Sequence, residues 1–146
     1  MAIYAVLIGI AIAVLADRLL ETMEIAERAA MDVTITRINS AINIQLAADR
    51  FAGRLSRIAE ALKRNPFEVA SMSPGNFLGE FDAPELEALE RGNWLFDRTR
   101  QELIYLPRLR RGLQAPESAI RFRFERRGSE TYALVPAAPY SWQPGM

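Results

Sequence analysis

The chain has 146 residues, eighteen of them basic and eighteen acidic, with neither cysteine nor histidine. That length suits one domain with an appended anchor. The missing residue types exclude disulfide staples, thiol catalysis and histidine-ligated metals. No cofactor or metal is expected.

The first sixteen residues, MAIYAVLIGIAIAVLA, carry no charged side chain, and Leu19 and Leu20 extend the apolar character past Asp17 and Arg18. A bilayer core of ~30 Å takes about 20 apolar residues in a helix, so residues 1–20 are read as a transmembrane anchor. Ile3, Val6, Leu7, Ile10 and Val14 are taken as its lipid- or helix-packing residues. Two other readings compete. A cleaved secretory signal would use the small pattern at Val14 and Ala16, but no Lys or Arg precedes the run. A buried core helix would be less uniformly apolar. Charge specifies orientation weakly, since no charged side chain lies on the short side; a tail of that kind is readily left in the cytoplasm. A single-pass anchor with the bulk of the chain outside is expected.

Residues 21–65 continue the helix. They hold no proline, and Gly53 is their only glycine. Met31, Ile35, Ile38 and Ile42 are spaced by 4, 3 and 4, and Phe51, Leu55, Ile58 and Leu62 repeat that spacing, so an apolar stripe must pack on something. Asn65-Pro66 is the predicted stop, because the residue before proline avoids the helical region. The polar stretch Thr34 to Asn43 lowers helix propensity and is the alternative place for a break.

Residues 66–92 read as an irregular connection, with a turn at Pro74-Gly75 and one or two helical turns after Asp82 and Pro84. Residues 93–146 read as an antiparallel sheet head of about four strands. The first hairpin runs GNWLFDRTRQELIYLP, Gly92 to Pro107, with Trp94, Phe96, Leu103 and Tyr105 on its arms and a polar bend from Asp97 to Glu102. In the next strand Ile120, Phe122 and Phe124 alternate with Arg121, Arg123 and Glu125, which marks a half-buried strand. TYALVP returns. One apolar sheet face needs a cover, and the helix over 31–64 is the only sizeable candidate. Tyr140 and Trp142 are expected to pack on the sheet edge. The fold class is therefore α+β: a long N-terminal helix on a small antiparallel sheet.

Charge is uneven. Residues 65–107 hold eight acids and three bases, and residues 108–146 hold three acids and seven bases. Such a dipole can steer association between like neighbours or pair internally. Arg108, Arg110, Arg111, Arg121 and Arg123 form a possible basic contact patch. It is small and the chain is neutral, so nucleic acid is not expected as a partner. Glu80, Asp82, Glu85 and Glu87 cluster, and calcium favours carboxylates, but their spacing matches no known loop and a solvated acidic face is the simpler reading. No nucleophile elbow, P-loop or metal-spaced ligand set is present, and an enzyme is not expected.

An apolar helix, its amphipathic continuation and a small sheet laid on it resemble the type IV pilin and pseudopilin family. The hairpin sharpens the resemblance. Many pilin-like proteins carry G-x-W-x-x-D and then L-x-Y-x-P, here Gly92, Trp94, Asp97, Leu103, Tyr105 and Pro107. The whole is similar to small accessory proteins of mannose-sensitive haemagglutinin (MSHA) pilus biogenesis. The resemblance implies a non-enzymatic component of a type IV pilus or type II secretion-like assembly, in a bacterial inner membrane with the C-terminal domain periplasmic. Its partners would be other pilin-like subunits or inner-membrane assembly proteins, met through the N-terminal helix within the bilayer. A pilin precursor has a basic leader ending in glycine and a glutamate at the fifth mature position, where it pairs with a neighbouring subunit's amine. Here no leader precedes Met1 and position 5 is Ala5. If Met1 is the residue exposed by processing, the leader has been removed; if Met1 is the initiator, the resemblance implies a plain membrane protein without a processing site. Ala5 favours a minor, tip or biogenesis component over a repeating subunit. The alternative is a single-pass periplasmic adaptor or binding domain that enters no filament.

Overall fold

The computed structural model describes residues 2–145. Met1, on which the choice between initiator and processed terminus turns, lies outside them. Helix α1 spans Ala2–Phe51, 50 residues without interruption, and is ~75 Å long at 1.5 Å per residue. It is long and apolar enough to cross a membrane. The polar stretch from Thr34 to Asn43 does not break it. Thr34 and Thr36 donate back to the carbonyls of Ala30 and Asp32, both at 2.9 Å, which satisfies their hydroxyls within the helix.

The helix ends at Phe51, not at Asn65 as the missing prolines suggested. Gly53 adopts φ +69°, its N–H donates to the Arg50 carbonyl, and the Arg54 N–H donates to that of Asp49. This is a Schellman cap, and glycine is the residue that enters the left-handed conformation without a Cβ penalty. Helix α2, Leu55–Ala61, follows the corner. Asn65 then opens α3, Pro66–Val69, by accepting a hydrogen bond from Phe67 N–H at 3.0 Å. The Asn-Pro pair thus starts a helix after the previous one has ended. The stripe is corrected accordingly: Met31, Ile38, Ile42, Leu46 and Ile58 are buried, while Phe51 is 94% exposed and Leu55 64%.

Seven strands follow among the described residues: β1 Phe77–Phe81, β2 Asn93–Asp97, β3 Glu102–Leu106, β4 Leu113–Gln114, β5 Ile120–Arg127, β6 Thr131–Pro136 and β7 Ser141–Trp142. Five form one mixed sheet in the order β1-β2-β3-β5-β6, and β4 pairs with β7. The four strands expected from the sequence are β2, β3, β5 and β6, all antiparallel. The connection 66–92 also holds a strand: β1 runs parallel to β2, with an irregular register around Gly79. A turn at Leu86–Ala88 sits between them.

The sheet is covered on both faces, where one was expected. Trp94, Leu103, Tyr105, Ile120, Phe122 and Leu134 meet Met31, Ile38, Ile42 and Leu46 of α1, together with Ile58 and Phe67. On the other face Leu95, Ile104, Leu106 and Ala119 pack under Leu86, Phe81 and Leu89. Strands β2 and β3 are therefore buried along nearly their whole length, as a strand between two layers must be.

The β6 edge is closed by the helix. Leu134 N–H donates to Asn39 Oδ1 at 2.7 Å, and Tyr132 N–H donates to Asn43 Oδ1 at 3.1 Å. Asn43 Nδ2 donates back to the Tyr132 carbonyl at 2.8 Å. Two asparagines one turn apart stand in for a neighbouring strand and remove an open edge.

Candidate functional site

The hairpin motif is structural. Trp94 is 2% exposed, with ring centroids of Tyr105, Phe67 and Phe122 at 4.7, 5.7 and 6.1 Å. Phe96 and Leu103 are buried with it. Gly92 takes φ +84° and its N–H donates to the Leu106 carbonyl, closing the open end of the hairpin. Pro107, buried, follows the last residue of β3. From the sequence, Asp97 belongs to the polar bend of the hairpin, the part left to meet a partner. It is instead 2% exposed, and its Oδ1 accepts from Thr99 and Arg100 N–H at 2.9 and 3.3 Å. The exposed part of the bend is residues 98–100 with Gln101.

Two carboxylates on α1 hold the head to the helix. Glu24, 1% exposed, accepts from Trp142 Nε1–H at 2.8 Å and from Gly112 N–H at 3.0 Å. One turn on, Glu27 accepts from Tyr105 O–H at 2.8 Å and from the N–H groups of Arg108 and Leu109 at 2.6 and 3.0 Å. Burial and then the bond to Glu27 push the Tyr105 phenol well above its ordinary pKa. Arg28 donates to the Trp142 carbonyl. Trp142 is thus fixed on α1 and paired with β4, not laid on the edge of the main sheet. These acids were missed in the sequence; the only signal was a pair of them, three apart, at the foot of an apolar span.

The five arginines do not form one patch. Arg121 lies in β5 between Glu102 and Glu117, at 3.1 Å from the former. Burial alone would lower its pKa, but the two carboxylates more than offset this and raise it. The bond from Arg121 in turn lowers the pKa of Glu117. Arg123 is exposed further along β5. Arg108, Arg110 and Arg111 lie in the loop after β3, and Arg111 reaches Asp17 of α1 at 2.7 Å. In the acidic segment, Asp82 takes both arms of Arg98, at 2.9 and 2.6 Å. Among the described residues no group of three acids gathers as a metal ligand set.

Helix α1 leaves two apolar surfaces uncovered. Over residues 3–20 its apolar side chains are uncovered, the head touching this stretch through Arg111 on Asp17: Ile3, Val6, Leu7, Ile10 and Val14 are 57–75% exposed, and Ile8, Ile12, Leu15 and Leu19 on other faces are similarly bare. Beside the head, the face opposite the core carries Ala26, Ala29, Ala30, Val33, Ile44, Ala48 and Phe51, all exposed, in two apolar stretches separated by Thr36, Arg37 and Ser40. A solvent-facing helix surface is ordinarily polar. Small residues in such a row let a second helix approach closely.

No protein-family model matches the chain, and neither a curated protein nor a solved structure is similar to it at the significance required.

Proposed function

We propose that the protein is a non-enzymatic, membrane-anchored, pilin-like component of a type IV pilus or type II secretion-like assembly. It acts as a minor or biogenesis subunit, with its head in the periplasm. The observation that carries this reading is the free face of α1. An anchor alone needs apolar residues only up to about residue 20. Here uncovered apolar surface continues past the anchor in two stretches beside the head, from Ala26 to Val33 and from Ile44 to Phe51, where a partner helix would bury it. The motif Gly92, Trp94, Asp97, Leu103, Tyr105 and Pro107 supports the same reading, because its residues build the hairpin that closes over the helix.

The test separates an assembly subunit from a generically anchored adaptor. Residues 3–20 are replaced by polyleucine, and in a second variant Val33 and Ile44 are changed to Lys. An assembly subunit loses copurification with pilus or secretion components in the second variant while remaining in the membrane. An adaptor tolerates both changes, and that result overturns the reading.

A further inference from the structure

The loop after β3 lies where α1 leaves its apolar stretch. Backbone N–H groups at Arg108, Leu109 and Gly112 are tied to Glu27 and Glu24, and Arg111 extends along the helix to Asp17. Asp17 is the first charged residue after the apolar run, only ~1.5 Å of rise beyond it. With residues 1–20 as the anchor, Glu24 and Glu27 stand roughly 6–10 Å of rise beyond its end, which holds loop 107–112 at the depth of the lipid headgroups.

Its charges are arranged for that layer. The acids of α1 at this level are engaged: Glu24 and Glu27 by N–H and O–H donors, Glu21 by Arg18 at 3.2 Å, Asp17 by Arg111. Arg108 and Arg110 are exposed, and among the described residues neither has an ion-pair partner. Arg91 lies close enough to Arg110 for its own pKa to be lowered, by burial first and then by Arg110. Arg108, whose guanidinium lies against Gly92, and Arg110 are thus two cations without an ion-pair partner on one short loop, which suits an anion. The planar guanidinium fork matches a phosphate.

We propose that loop 107–112 is a phospholipid collar, in which Arg108 and Arg110 take the phosphates of anionic lipids in the leaflet from which α1 emerges. The collar rests on the membrane-anchor reading. It seats the head on the bilayer surface and fixes its tilt, since Glu24 and Glu27 make loop and helix one unit.

The full chain is mixed with vesicles of phosphatidylcholine, alone or with phosphatidylglycerol, and separated by flotation. Native mass spectrometry of the detergent-extracted protein then counts retained lipid. The collar predicts flotation with both vesicle types and roughly 30-fold preferential retention of phosphatidylglycerol, from two arginines near a charged surface. Arg108→Gln with Arg110→Gln removes the preference without affecting flotation. The control, Arg123→Gln with Arg127→Gln, carries the same charge loss at the far end of the sheet and keeps it. Flotation without a lipid preference, or equal loss in the control, overturns the collar alone. Failure to float overturns the anchor reading and the collar with it.

Discussion

Trp142 Nε1–H donates to Glu24 Oε1 at 2.8 Å across 118 positions of chain, and both side chains are buried. The same carboxylate oxygen accepts from Gly112 N–H. One helix residue therefore holds both the loop after β3 and the C-terminal segment. Glu24→Ala leaves two buried donors unpaired and is predicted to destabilise the protein by about 2–4 kcal/mol. Glu24→Gln keeps an acceptor oxygen and costs less. Denaturant unfolding of the full chain in detergent, followed by Trp fluorescence, checks both. Equal stability of Glu24→Ala and the parent contradicts the latch.

Trp94 sits among Phe67, Tyr105 and Phe122 in the layer that joins sheet to helix. Trp94→Ala is predicted to cost roughly 3–5 kcal/mol, the usual range for truncating a buried aromatic. A melting temperature within a degree or so of the parent would place Trp94 outside the core.

The corner after α1 has an acid-side pH dependence. The hydrogen bond from Arg54 holds the Asp49 carboxyl below the ordinary carboxylate range, against an opposing effect of burial. A depressed folded pKa means that the stabilisation is present above the unfolded value and is lost as pH falls through the folded one. Asp49→Asn should flatten the stability profile below pH ~4. Tyr105 acts at the other end. Its raised pKa means that stability falls as pH climbs past the unfolded value of ~10, and Tyr105→Phe should shrink that limb of a pH titration followed by circular dichroism, leaving the part due to Tyr140, whose pKa burial also raises.

The anchor and the hairpin were legible because each rests on local pattern: an uncharged run in one case, aromatic alternation around a polar bend in the other. The end of α1 was legible in principle at Gly53, a C-cap glycine, but the firmer Asn65-Pro66 signal eclipsed it. β1 was not legible. Gly79 interrupts its alternation, and its partner β2 runs parallel, so no tight turn marks the pair. Asp97 was misplaced because an aspartate in a bend reads as solvent-facing, while its partners are the N–H groups of the bend itself. Glu24 and Glu27 were invisible because acids on an amphipathic helix resemble a solvated face, and their partners lie 78–118 positions away.

The free face of α1 is also a statement about stability. Val33 and Ile44 are 47% and 72% exposed, so exchanging either for lysine should change the unfolding free energy of the isolated chain by no more than ~0.5 kcal/mol. A loss of several kcal/mol in dilute detergent would mean that the face is covered within the protein itself.

The absence of cysteine permits the most direct measurement. A single cysteine at Val33 or Ile44, labelled with a photoreactive benzophenone in native membranes, reports what lies against the free face. The account predicts discrete cross-linked products from both positions, containing a membrane-anchored helical subunit, and none from a cysteine at Arg127. Irradiation that yields only lipid adducts or monomer from Val33 and Ile44, in protein shown to be membrane-bound, would contradict it.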